Sequence, residues 1–465
     1  MGGSEPVFEK TGQGEIEFIP ALNGKTRSKS IIPLPPALER ELQSLEEAFT
    51  ITTGMLKEIV GRFEKELAEG LEKDSQNIAM YPTWVFGFPT GRENGQYLTI
   101  DLGGTNLRVC WITLKGHDQE TDVLQDTYKV PDDIKTGSAD ELWGLITDSL
   151  EDFLDKHELQ GTEDYPLPLG FTFSYPIHQD YIDRGRLVTW TKGFEIKGVE
   201  QEDVVIQLGE ALSRRELPVR IIALINDTVG AMIASAYKDP ETIIGAIFGT
   251  GCNAAYMEDV GSIPKISGSG LAPELPLAIN CEYGAFDNSH RVLPRTKYDI
   301  EIDEESAKPG EQAFEKMSAG LYLGELFRLV ILDLYERGIL FEGRDIPKLK
   351  ETYCMDTGFL ACLENDPFEA RQARYKETLG FEPAPAEVEF SRLLAEVIAF
   401  KARWSEALGE ILDWPAGRES DPITITSAED GSGIGAAIIT SMTMAKIRAG
   451  DLKGVRDGGQ YIGKQ

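Results

Sequence analysis

The chain has 465 residues, enough for a large core and two or more domains, and its 41% apolar and 27% charged content is ordinary for a soluble globular protein. A formal net charge of −32 argues against nucleic acid or an anionic membrane surface as partner, because both repel an acidic protein. No apolar run is long enough to cross a bilayer, and Met1–Lys10 carry neither the basic nor the apolar region of a secretory signal.

Five scattered cysteines without CxxC spacing and four isolated histidines predict reduced thiols in a cytoplasmic setting, with no disulfide framework and no metal cluster. After an irregular lead-in, apolar spacing predicts helices over 38–49 and 55–71. Tyr81–Pro89 reads as an extended aromatic connector. Residues 98–114 read as two strands joined by Asp101-Leu102-Gly103-Gly104-Thr105-Asn106. Such a turn can present backbone N–H groups to a phosphate, since glycine has no Cβ to hold the ligand away. Thr105 adds a hydroxyl, Arg108 a positive charge and Asp101 a carboxylate for a hydrated Mg2+. An ordinary hairpin with Gly-Gly at its tip fits these residues equally well.

Further along, the pattern predicts an amphipathic helix over 141–157, a strand over 168–174 and a buried strand over 219–225. Thr242–Met257 then repeats the opening pattern around Phe248-Gly249-Thr250-Gly251-Cys252-Asn253, about 145 residues after the first turn. A long helical region over 310–335, a strand over 423–426 and a helix from about Ile434 complete the reading. Two strand–turn–strand units, each heading an α/β stretch, point to a duplicated architecture with a phosphate loop in each half.

Several polar residues stand out between these elements. Asn226-Asp227 ends a buried strand, where ligands bind in α/β sheets; Asp227 as a mere cap of the next helix is the alternative. Ser174 also sits at a strand end, and Thr191 and Lys192 lie between aromatics. Asn280, Glu282 and Glu315 are set among apolar residues; glutamates there are either solvated or satisfied by partners, and sugar hydroxyls would be such partners. Gly431-Ser432-Gly433-Ile434-Gly435-Ala436 fits the dinucleotide fingerprint, but the chain ends before the required second strand and acidic residue. Gly458–Lys464 fits most of a Walker A loop, yet Gln465 stands where Ser or Thr is needed.

The turns at 101–108 and 249–253, with Gly170–Pro176, Trp190–Phe194, Asn226–Thr228, Glu282–Phe286 and Glu429–Gly433, occur in one fixed order. This set resembles the eukaryotic hexokinases, most of all the fungal glucokinase branch, from about Leu38 to Arg456. The resemblance implies an α/β fold of two actin-like (ribonuclease H-like) domains around a sugar/ATP cleft. It implies a small domain over 92–226, completed by a C-terminal helix at about 447–465, and a large domain over 1–91 and 227–446. The implied reaction moves the γ-phosphoryl group of ATP, with Mg2+, to the 6-hydroxyl of glucose, with mannose and fructose as further candidates. Asp227 would be the general base and Lys192 would steady the transferring group. Ser174, Thr191, Lys192, Asn226, Asp227, Asn280, Glu282 and Glu315 would hold the sugar. Asp101, Gly103, Gly104, Thr105, Asn106, Arg108, Thr250 and Gly320 would hold the nucleotide, with Gly431 and Ser432 beside the adenosine. No direct protein ligand to Mg2+ is implied, only contact through water to Asp101.

The chain departs from the family near Ala399–Phe400. There a strand, a second Ala-Asp-Gly-Ser turn and a helix are absent, and the flanking helical patterns join directly. The apolar spacing from Phe390 to Ile411 predicts one helix through the join. The lost turn would face Asp101–Arg108 across the phosphates. Losing two charge-assisted hydrogen bonds, about 1.5–3 kcal/mol each, would weaken ATP binding tenfold or more. A sugar-binding, catalytically impaired hexokinase-like regulator is therefore the alternative to an active kinase.

Overall fold

The computed structural model describes residues 30–116, 119–191, 193–398 and 431–457. In chain order they begin with helices α1 (Pro36–Phe49) and α2 (Thr53–Glu72) and strands β1 (Tyr81–Phe86), β2 (Asn94–Leu102), β3 (Asn106–Lys115) and β4 (Asp122–Lys129). Next come α3 (Asp132–Lys135), α4 (Ala139–Lys156), β5 (Leu167–Phe173), β6 (Ile177–Tyr181), β7 (Arg184–Leu187), α5 (Val204–Arg214), β8 (Val219–Ile225) and α6 (Asp227–Lys238). Strands β9 (Ile244–Phe248), β10 (Cys252–Asp259) and β11 (Pro276–Asn280) follow. Helices α7 (Lys297–Glu305), α8 (Ala313–Ser318), α9 (Gly320–Glu336), α10 (Thr357–Asn365), α11 (Phe368–Leu379), α12 (Pro385–Ile398) and α13 (Gly431–Arg448) complete the order.

By internal contacts the chain divides into two compact units. One holds the described residues of Met1–Glu66, Phe248–Cys252 and Tyr283–Ser427. The other holds those of Leu67–Ile247, Asn253–Glu282 and Ala428–Gln465.

The second unit is built on a five-stranded sheet in the order β4-β3-β2-β5-β8. Strands β2 and β3 are antiparallel with Asp101 opposite Arg108, and β2 runs parallel to β5 with Asp101 opposite Thr172. Side chains alternate across a strand, so β2 sends Leu98, Ile100 and Leu102 into one core with Trp143, Phe153 and Leu208 of α4 and α5. Its Tyr97 enters a second core with Ile112, Ile225, Met232 and Ile438. Asp101, in phase with Tyr97, is therefore carried toward α13, where Ser432 Oγ donates to its Oδ2 at 2.7 Å.

Helices α6 and α13 meet backbone to backbone. A Cβ on Gly435 would fall 1.9 Å from the Gly230 carbonyl oxygen, and one on Gly230 would fall 3.0 Å from that of Ser432. The glycines that imitate a dinucleotide loop thus lie inside a packed helix. The expected continuation of a terminal helix beyond 448 is not found as far as Asp457. Gly450 takes φ +78°, and the Asp451 N–H returns to the Lys446 carbonyl at 2.9 Å, which closes the helix.

The connector at 81–89 contains a paired strand. β1 runs antiparallel to β11 in a second sheet, ordered β1-β11-β10-β9. The first sheet continues past β2 into the parallel strands β5 and β8, whereas among the described residues the second sheet ends at β9.

The first unit is helical, around a core that includes Leu42, Phe327, Phe341, Phe359, Tyr375 and Phe390. Two buried arginines there are paired, Arg328 with Glu325 at 2.6 Å and Arg392 with Glu389 at 2.7 Å. The expected helical region 310–335 is two helices. Ala319 is extended at ψ 155°, and the first N–H groups of α9 donate outward, Gly320 to the Gly249 carbonyl at 2.7 Å and Leu321 to that of Thr250 at 3.2 Å. Helix α12 matches the first half of the helix predicted through 399–400; the join itself, with the expected strand 423–426, lies outside the described residues. No helix of the described residues is long and apolar enough to cross a membrane.

Candidate functional site

The turn at 103–105 joins two antiparallel strands, so the hairpin geometry is realised. The Gly103 N–H is committed to the Asn106 carbonyl at 3.1 Å, and the Thr105 carbonyl accepts from Val130 N–H at 3.0 Å. A Cβ on Gly103 would meet only the Asn106 oxygen, at an ordinary 3.7 Å, so the fold alone does not demand glycine there. Arg108 approaches the Asp101 carboxylate at 3.6 Å and is half exposed, a cation available to an incoming anion. The hard carboxylate oxygens of Asp101, one of them accepting from Ser432, are of the type that holds magnesium through water. Among the described residues there is no cluster of three His, Cys, Asp or Glu side chains that could cage a metal directly.

Asp227 opens α6, with Asn226 as its cap. Asn226 Oδ1 accepts the Thr228 N–H at 2.9 Å, and Asp227 Oδ1 accepts the same N–H at 2.9 Å. Capping therefore needs only Asn226, and the Asp227 carboxylate sits in the positive field of the helix start. Tyr175, almost fully buried, donates its hydroxyl to the Gly103 carbonyl at 3.2 Å. Burial raises its pKa above the ordinary phenol value, and the charges of Asp101 and Asp227 add to this, so it remains a donor.

Residues far apart in the chain converge beside Asp227. The Asn253 amide donates to Asn280 Oδ1 at 2.7 Å and reaches Glu282 Oε1 at 3.4 Å and Thr228 Oγ1 at 3.5 Å. Its own Oδ1 accepts the Glu282 N–H at 2.9 Å, and Asn280 donates to Glu282 Oε1 at 2.9 Å. The Thr228 hydroxyl donates to Asn226, which closes the chain of contacts. Glu282 is held at φ +56°, a strained value for a non-glycine residue. Cys281 next to it is pushed up to about 12, first by burial and then by Glu282, and so stays an inert thiol.

Ser174 and Thr191 are carried by an aromatic box. Tyr175 packs on Trp190 at 4.8 Å and on Phe194 at 5.3 Å, and Phe173 lies 4.9 Å from Tyr175. The Trp190 indole donates to the Ile196 carbonyl at 3.0 Å. Lys192 lies outside the described residues.

Thr250, Gly320 and Glu315 belong to the first unit. Thr250 is exposed in the second glycine turn. A Cβ on Gly320 would fall 2.6 Å from the Gly249 carbonyl oxygen, so this position requires glycine. Glu315 Oε2 accepts the Cys252 N–H at 3.0 Å. Asn253 and Tyr175 are the residues that sequence reasoning passed over; both lie inside the quoted motifs, and the signal was a polar or hydroxyl-bearing side chain next to a turn.

Two hexokinase family models match residues 41–237 and 243–402. The hexokinase of Emericella nidulans is 46% identical over 474 positions, covering 93% of this chain and 96% of that protein. Hexokinase-1 of Saccharomyces cerevisiae is 44% identical, covering 93% and 98%. A hexokinase from Schistosoma mansoni, solved in complex with glucose, superposes with a TM-score of 0.76 at 32% identity, over 87% of this chain and 99% of that one. The chain belongs to the hexokinase family. Its activity is that of a hexokinase, ATP-dependent phosphorylation of glucose.

Proposed function

We propose that Asp227 takes the proton from the 6-hydroxyl of the hexose while the two glycine turns hold the triphosphate. The network of Asn226, Thr228, Asn253, Asn280 and Glu282 beside Asp227 is the observation that carries this reading. It presents several acceptors and amide donors fixed in advance, as recognition of a polyol requires. In this assignment Ser174, Thr191, Lys192, Asn226, Asn280, Glu282 and Glu315 bind glucose, and mannose and fructose are further substrates. Asp101, Gly103, Gly104, Thr105, Asn106, Arg108, Thr250 and Gly320 bind the nucleotide, with Gly431 and Ser432 at the adenosine.

The magnesium that travels with ATP neutralises charge on its phosphates and reaches Asp101 through water. Arg108 and Lys192 add positive charge as the γ-phosphoryl group moves, and positioning does most of the remaining work. We assign residues 92–226, completed by about 447–465, to the small domain and residues 1–91 and 227–446 to the large one, and place the enzyme in the cytoplasm. The test is glucose-dependent ADP formation by the purified chain, with sugar binding followed by tryptophan fluorescence. Sugar binding without turnover would overturn the catalytic assignment in favour of a regulator.

We also propose that an internal segment is missing near Ala399–Phe400. Two observations support it. The alignment with the Emericella relative runs over 474 positions, longer than the whole 465-residue chain, although only 93% of the chain takes part. The second family match stops at residue 402. Turnover with a raised KM for ATP is expected. Sequencing the transcript across the codons for Ala399 and Phe400 decides whether the deletion is encoded.

A further inference from the structure

We infer that Glu315 also holds the second glycine turn, so that one carboxylate ties hexose binding to nucleotide binding. The inference rests on the assignment of Glu315 to the sugar and of Thr250 to the nucleotide. Glu315 Oε2 accepts the Cys252 N–H at 3.0 Å, and a Cβ on Gly251 would fall 2.4 Å from that same oxygen. The carboxylate therefore lies directly against the turn's backbone. Cys252 Sγ adds a contact to Ser318 Oγ at 3.8 Å. On its other side the turn is gripped by α9, whose Gly320 and Leu321 N–H groups donate to the Gly249 and Thr250 carbonyls.

Helix α8, which carries Glu315, has six residues and cannot hold itself in place by its own hydrogen bonds. It is fixed from outside. The buried Lys316 donates to Asp303 Oδ1 and to the Lys308 carbonyl, both at 2.7 Å, and the Ala313 N–H donates to Asn288 Oδ1 at 3.0 Å. A carboxylate accepts about four hydrogen bonds, so receiving the Cys252 N–H is compatible with receiving sugar hydroxyls. A hexose that orders this carboxylate also orders the backbone on which Thr250 stands. Binding of either substrate then favours the other by the same factor.

The test measures ADP binding to the sugar-free protein by titration calorimetry. It compares wild type with E315A, E315Q, K376A and T250A. E315A is expected to weaken ADP binding about tenfold, and E315Q less than about threefold, because its amide oxygen still accepts the Cys252 N–H. K376A, at an exposed residue of α11, leaves ADP binding at the wild-type value. Normal ADP affinity in E315A beside weakened affinity in T250A overturns the coupling and leaves Thr250 assigned. Normal affinity in T250A overturns the assignment of Thr250, and the coupling with it. G251A approaches from the opposite side and does not depend on E315A folding. It is expected to weaken hexose binding about tenfold by displacing the carboxylate, and wild-type hexose affinity there overturns the inference.

Discussion

Asn253 donates its amide to Asn280 Oδ1 at 2.7 Å while its own oxygen accepts the Glu282 N–H at 2.9 Å, so one side chain orients both neighbours in the network assigned to the hexose. N253A leaves a buried amide oxygen and a strained Glu282 without this support. At about 1–3 kcal/mol for such a loss, glucose affinity should fall roughly 5- to 150-fold. Tryptophan fluorescence titration measures it, and an unchanged titration would remove Asn253 from the network.

Asp227 is assigned to proton transfer, and its neighbour Asn226 caps the helix. D227N therefore keeps the cap and the fold. Turnover is expected to drop by about 10²–10⁴-fold, the usual contribution of a positioned base. Glucose binding should stay within a fewfold of wild type, which separates this role from a structural one.

Asp303 receives Lys316 at 2.7 Å, Arg295 at 3.0 Å and the Gly310 N–H at 3.0 Å. Burial alone would push its carboxyl up, but Lys316, the Gly310 N–H and Arg295 together hold it below the ordinary carboxylate range. A carboxylate with a lowered native pKa adds stability above its unfolded value near pH 4, and this is lost as pH falls through the native value. D303N should cost about 3 kcal/mol at pH 7, because Lys316 remains buried without its partner. The difference between wild type and variant should shrink below pH 4. Denaturant titrations at both pH values check the sign.

Gly435 meets the Gly230 carbonyl with no room for a Cβ. G435A forces α6 and α13 apart and is expected to cost at least about 1–3 kcal/mol, as overpacking does. Thermal unfolding read by circular dichroism should show a lowered midpoint. A midpoint equal to wild type would mean that the two helices separate freely.

The local chemistry of the site was legible in the sequence. The 101–108 turn showed its glycines, hydroxyl and charge in one stretch, and Asp227 stood at a strand end. The convergence of 226–228, 253 and 280–282 was not legible, because hydrogen bonds across such separations leave no periodicity. Asn253 read as a turn residue for that reason. The break at Ala319 was hidden too: alanine is the best helix former, and the interruption comes from carbonyls of a distant turn that claim the N–H groups of α9. The end of α13 at Arg448 did have a local signal in Gly450.

Tyr175 fastens its hydroxyl to the Gly103 carbonyl while its ring packs on Trp190 and Phe194. The segment assigned to one substrate and the loop assigned to the other thus share a single support. A displacement of Tyr175 would therefore be passed to both. A mutation that loosened this aromatic packing would shift the apparent affinity for both substrates at once without touching either. Kinetic drift of that paired kind in variants of this enzyme would point to the box and not to the binding residues.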